Sequence, residues 1–132
     1  MAVLLVAVVD DEEPIRKALG RLLRASGLIA ECFATGQAFL DSIETTWPDC
    51  LVLDLHMPGM TGLQVLEKLH GRRPQLPTVV ITGHDEPENR ARCFAAGAAA
   101  YMRKPLDATA LLEIIDQIVH HQITPPTRSA EP

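Results

Sequence analysis

A chain of 132 residues, 47% apolar and 22% charged, is long enough for one buried core and has the composition of a soluble globular protein. Its 17 acidic and 12 basic side chains leave a formal charge of −5, and Lys and Arg are scattered, so nothing marks a nucleic-acid surface. The apolar start meets Asp10 too soon for a signal segment or membrane span, and has no basic region ahead of it.

The first strand is read over residues 4–9 and runs into the acid pair Asp10-Asp11. A helix follows with Pro14 in its first turn, where the missing N–H costs nothing. Its stripe is Ile15, Ala18, Leu19, Leu22 and Leu23, and Gly27 suits its stop. The second strand covers residues 28–33. Thr35 is placed to cap a helix reaching about Ile43, with Phe39, Leu40 and Ile43 inward. Trp47-Pro48 breaks the chain before a third strand, residues 50–54, which ends in Asp54.

Met57-Pro58-Gly59-Met60 forms a turn. Thr61 then caps a third helix with the stripe Leu63, Leu66 and Leu69. The fourth strand, residues 78–82, ends in Thr82-Gly83. Asp85 with Glu88 fits a capping box, with Pro87 in the same turn, for a helix running to about Ala96 and stopped by Gly97. The fifth strand, residues 99–103, leads into Lys104-Pro105. Asp107 caps a last helix with Leu111, Leu112, Ile115, Ile118 and Val119 on its apolar side. Residues 1–121 read as one domain, and the Pro-rich segment 122–132 as a disordered tail or the start of a linker. Cys32, Cys50 and Cys93, widely spaced among apolar neighbours, read as buried free thiols of a reducing cytoplasm.

Five strand–helix alternations with short connections predict a parallel sheet with right-handed crossovers. Strands one, three and four are nearly unbroken apolar runs, as expected where helices cover both faces. Their carboxyl ends would then converge, and ligand sites of such sheets lie there. The convergence gathers carboxylates, a hydroxyl and an ammonium. Two or three carboxylates and a carbonyl suit magnesium, which takes hard oxygen ligands. Asp11 and Asp54 are direct ligand candidates, and Asp10 a holder of bound water. Asp54 is then the candidate nucleophile toward phosphorus. Thr82, the Gly83 N–H and the Lys104 ammonium are candidates to neutralise the phosphoryl oxygens. Singly, each residue has an ordinary reading: a helix cap, a loop acid, a strand-end hydroxyl, a solvated lysine. The argument rests on their coincidence at four strand ends.

In these residues the chain resembles the receiver domain of two-component response regulators. The matching motifs are Val8-Val9-Asp10-Asp11-Glu12, the run from Leu53 through Asp54 to Gly62, Ile81-Thr82-Gly83 and Lys104-Pro105. The resemblance spans about residues 4–119. It implies a flavodoxin-like sheet of order 2-1-3-4-5 with five helices. It also implies phosphorylation of Asp54 by a sensor histidine kinase or phosphotransfer protein. Mg2+ would be held by Asp11, Asp54, the His56 carbonyl and, through water, Asp10. Lys104 would contact the phosphoryl group and its bond to Pro105 would be cis. Thr82 and Tyr101 would form a switch that reshapes helix four, strand five and helix five.

His56 and His84 lie two residues after the acceptor and the switch Thr, places that the resemblance implies flank the route of attacking water. They are candidates to set the acyl-phosphate lifetime, with a pH dependence near neutrality. His120 and His121 read as solvated. A homodimer through helix four and strand five fits the resemblance, with Arg90, Arg92 and Arg103 as pairing groups; direct nucleic-acid or membrane binding by this domain does not. Two alternatives remain at this point. A magnesium-dependent phosphatase of the haloacid dehalogenase type also uses a strand-end Asp, but it needs a second Asp where this chain has His56. A scaffold that keeps the fold without being phosphorylated is the other.

Overall fold

The computed structural model describes residues 3–72 and 75–120. His121 and the expected tail lie outside the described residues. The chain alternates strictly: β1 (Leu5–Val9), α1 (Glu13–Ala25), β2 (Ile29–Phe33), α2 (Gly36–Ser42), β3 (Cys50–Asp54), α3 (Gly62–Leu69), β4 (Thr78–Thr82), α4 (Pro87–Ala95), β5 (Ala100–Arg103) and α5 (Ala108–His120). All pairings are parallel, in the order β2-β1-β3-β4-β5.

The period of two along each strand sorts the core into two halves. Ala7, Val9, Leu51, Leu53 and Val80 face Phe39, Leu40, Val65, Leu66 and Cys93 of α2, α3 and α4. Val6, Val8, Val52, Val79 and Ile81 face Leu19 and Leu23 of α1 and Leu111 and Ile115 of α5. β3 and β4 are buried at every position, as strands covered on both faces must be. Each fully buried Leu, Ile, Val or Phe contributes about 1.5–3 kcal/mol relative to exposure.

Helix starts follow local chemistry in three of five cases. Thr35 Oγ1 accepts from the Ala38 N–H at 3.0 Å. Asp107 Oδ1 accepts from the Ala110 N–H at 3.0 Å. At α3, Thr61 and Gln64 make a reciprocal capping box, with bonds of 2.9 and 3.2 Å. The capping box expected at Asp85 and Glu88 does not form. Glu86 is the N-cap residue of α4 and makes no side-chain cap bond. Glu86 accepts from Asn89 instead, at 3.0 Å. The Asp85 carboxylate turns to Arg90 and Arg103, at 3.7 and 3.9 Å.

Three further expectations need correcting. Ala18 is exposed at the edge of the α1 stripe, while Gly20 is buried where α1 packs close to the Cys32 sulfur. Val65 is fully buried on α3, whereas Leu63 is only half-buried. The thiols of Cys50 and Cys93 are buried, but Cys32 is half-buried, because β2 is an edge strand; its Sγ donates to the Arg16 carbonyl at 3.7 Å.

Candidate phosphoacceptor site

Strand order reverses at β1, which has β2 on one side and β3 on the other, so a crevice opens beyond their carboxyl ends. The register pairs Val9 with Leu53, so the next residues, Asp10 and Asp54, stand side by side at the edge of the sheet. β4 aligns Ile81 with Asp54, and β5 aligns Arg103 with Thr82, which brings Lys104 to the same rim. Backbone bonds fasten that rim. The Leu55 N–H donates to the Ile81 carbonyl at 2.9 Å, and the Lys104 N–H to the Thr82 carbonyl at 2.8 Å. The Lys104–Pro105 peptide is cis.

Gly62 lets α3 begin directly over this strand end. Its N–H donates to the Leu55 carbonyl at 2.9 Å. A Cβ there would overlap the backbone carbonyl of Asp54 and lie 2.8 Å from the Leu55 Cα. That close approach requires glycine for a reason of space, not of dihedral angle.

One carboxylate oxygen each from Asp10, Asp11 and Asp54 lies within 4.8 Å of the others. Asp10 and Asp54 are buried and Asp11 is exposed. The Lys104 ammonium sits 3.1 Å from Asp10 Oδ2, 3.3 Å from Asp54 Oδ1 and 3.1 Å from Glu12 Oε1. It hydrogen-bonds to Glu12, whereas Asp10 Oδ2 is paired by charge alone and has no hydrogen bond. Burial, and then the charge of Asp10, push the Asp54 carboxyl up to about 7 against the pull of Lys104. Burial would lower the Lys104 ammonium, but the adjacent carboxylates of Asp10 and Glu12, and the charge of Asp54, outweigh it and raise it.

Two or three carboxylates facing one ammonium leave excess negative charge. A buried oxygen without a hydrogen bond, beside an open carboxylate, is a donor set suited to a hard divalent cation. The residues present therefore fit magnesium.

Other sequence-predicted residues stand nearby without joining the cluster. The Thr82 hydroxyl is buried and occupied: it donates to the His84 carbonyl and accepts from the His84 N–H, both at 3.0 Å. Gly83 is exposed, with open space where a side chain would be. The His56 and His84 rings, both exposed, meet edge to face with centroids 5.8 Å apart. The Tyr101 ring lies half-buried, with the Arg90 guanidinium 5.0 Å from its centroid and the Phe94 ring 6.4 Å away. Its hydroxyl is buried without a hydrogen-bond partner, and burial followed by the Asp85 charge raises its pKa.

Two contacts at the site were missed from the sequence. Glu12 closes the acid ring around Lys104, and its place in an unbroken run of acids was the available signal. Arg16 donates to the Asp10 carbonyl at 2.9 Å; nothing in the sequence distinguished it from the other arginines of α1.

The family profile of the response regulator receiver domain matches residues 6–116, most of the chain. This chain belongs to the response regulator receiver domain family. It is similar to the DNA-binding transcriptional regulator NtrC of Klebsiella pneumoniae, 35% identical over 114 residues that make up 86% of this chain and 24% of that protein. It is also similar to the transcriptional regulatory protein FixJ of Rhizobium meliloti, 34% identical over 118 residues, 89% of this chain and 58% of that one. The chain thus spans less than two thirds of the length of these relatives.

Among solved structures, a CheY-like receiver domain protein from Methanospirillum hungatei superimposes with a TM-score of 0.87 at 31% identity, covering 92% of this chain and 98% of that one. FixJ-N superimposes with a TM-score of 0.83 at 34% identity, covering 92% and 97%. The family is one of signalling switches in two-component systems, not of classical enzymes. Among the described residues, no helix is long and apolar enough to cross a membrane.

Proposed function

We propose that this receiver domain is a phosphorylation-dependent switch in which Asp54 takes a phosphoryl group from a sensor histidine kinase or phosphotransfer protein. The observation that carries this reading is the Lys104 ammonium held among Asp10, Glu12 and Asp54 at the point where strand order reverses. Asp10, Asp11, Asp54 and the His56 carbonyl are the residues to hold Mg2+, which when bound neutralises charge on the phosphoryl group and favours the ionised form of Asp54. Asp54 attacks phosphorus as the bond to the donor imidazole breaks; the nitrogen keeps the electron pair and the product is an acyl phosphate. Lys104, already at the rim, takes a phosphoryl oxygen. The Gly83 N–H is a further donor, with room beside it for the group.

Thr82 must leave its two bonds to His84 to reach that group, which links the chemistry to the β4–α4 loop. Its departure makes room for Tyr101, whose hydroxyl has no hydrogen bond to break on moving. The altered surface of α4, β5 and α5 is what an output domain or partner protein reads. Phe94, 44% exposed, and Arg90, Arg92 and Arg103 make that surface suitable for a homodimer. His56 and His84 flank the water route and set how long the acyl phosphate lasts. In this reading residues 1–121 form the switching unit, 122–132 serve as tail or linker, and the free thiols suit the cytoplasm.

The test is incubation with phosphoramidate and magnesium followed by intact-protein mass. Addition of one phosphoryl group, lost in Asp54→Asn and in chelator, supports the reading. Turnover of phosphoesters would point to a phosphatase, and no reaction to a scaffold.

A further inference from the structure

The side chain of Asp11 is exposed and makes no hydrogen bond among the described residues, so its aim depends on its backbone. That backbone leaves the sheet at Asp10 and is held at three points. The Asp10 N–H donates to the Phe33 carbonyl at 3.1 Å. The Glu12 N–H donates to Asp10 Oδ1 at 2.9 Å. The third point is the Asp10 carbonyl, half of the peptide joining Asp10 to Asp11, and it accepts from Arg16 Nη1 at 2.9 Å.

Arg16 is half-buried on α1 and forms no ion pair among the described residues, although acids surround the loop. Its charge goes to a neutral carbonyl, a charge-assisted bond across the turn between strand and helix. Its own carbonyl accepts from Cys32 Sγ, so the residue is tied to β2 as well.

We infer that Arg16 is a positioning residue for the candidate cation site: by clamping the Asp10–Asp11 peptide it points the Asp11 carboxylate toward Asp54. The inference rests on the magnesium reading above. It has a sign that separates it from simple charge. A cation beside a divalent-ion site repels the ion, so removing Arg16 should tighten binding if its charge were all that mattered. Removing a clamp should weaken it.

The experiment measures magnesium affinity by calorimetry, and the rise in Tm with magnesium, for wild type, Arg16→Met and Arg16→Lys. Arg16→Met keeps the apolar stem without a donor. It should bind magnesium about tenfold more weakly, the low end for partners that orient metal ligands. Its Tm rise with magnesium should be smaller than that of wild type at the same magnesium concentration. Arg16→Lys keeps a charged donor on a shorter arm and should fall between the two. Affinity equal to or tighter than wild type in Arg16→Met overturns the inference alone. If Arg16→Met does not fold, Arg16→Lys decides: weaker binding supports the clamp, and equal binding overturns it. A wild type that binds no magnesium overturns the site reading and this inference with it.

Discussion

Asp54 is an acid placed where its charge is disfavoured, and stability should register that. The residue is 3% exposed and faces Asp10 across the strand ends. Those surroundings raise its carboxyl from 3.8 to about 7. An acid whose pKa is higher in the folded state holds its proton more tightly there, so folding loses stability as pH rises through that interval. At about 1.4 kcal/mol per unit, the ionised form costs roughly 4 kcal/mol at pH 8, of which roughly 3 kcal/mol accumulates between pH 5 and pH 8. Asp54→Asn removes the titration and the repulsion from Asp10, at the loss of one partner for Lys104. Urea unfolding in chelator should find Asp54→Asn more stable than wild type by roughly 2–4 kcal/mol at pH 8, with the gap closing toward pH 5. Magnesium should narrow the gap at pH 8 by stabilising wild type. Parallel stability curves for the two proteins from pH 5 to pH 8 would refute the reasoning.

Gly62→Ala presses a methyl group onto the backbone of Asp54 and Leu55, which cannot swing aside, and should destabilise by roughly 1–3 kcal/mol in urea unfolding. An unchanged midpoint contradicts the close approach. Tyr101→Phe deletes a buried hydroxyl without a hydrogen-bond partner, so its Tm should match or exceed wild type; a clear fall means that the hydroxyl has a partner. His56→Ala and His84→Ala should each change the decay rate of the phosphorylated protein, followed by intact mass, without abolishing phosphorylation. Decay at the wild-type rate in both removes the histidines from the account.

Much of the architecture was legible because four of the five strands, β2 excepted, run into a polar residue of their own kind. Asp10, Asp54, Thr82 and Lys104 mark the strand ends that the register brings to one rim. The start of α4 was not legible. Asp85 and Glu88 have the spacing of a capping box, but the Asp85 carboxylate lies toward Arg90 of α4 and Arg103 of β5, at 3.7 and 3.9 Å, and a local pattern holds no record of the second partner. Val65 was not legible because the leucines of α3 suggested a stripe every three residues, whereas the buried face runs through Gly62, Val65, Leu66 and Leu69. The site's residues were readable, but not their present bonds. That Thr82 is tied to His84, and that Lys104 is shared among three acids, follows from side-chain geometry that residue identity does not determine.

The central claim is that Asp54 carries the phosphoryl group, and the most direct measurement locates it. After treatment with phosphoramidate and magnesium, borohydride reduces an acyl phosphate to a primary alcohol, converting the phosphorylated aspartate to homoserine. Peptide mass spectrometry should find homoserine at position 54 and unmodified aspartate at positions 10 and 11. Homoserine at position 10 or 11, or phosphate on a histidine with position 54 unaltered, would contradict the account.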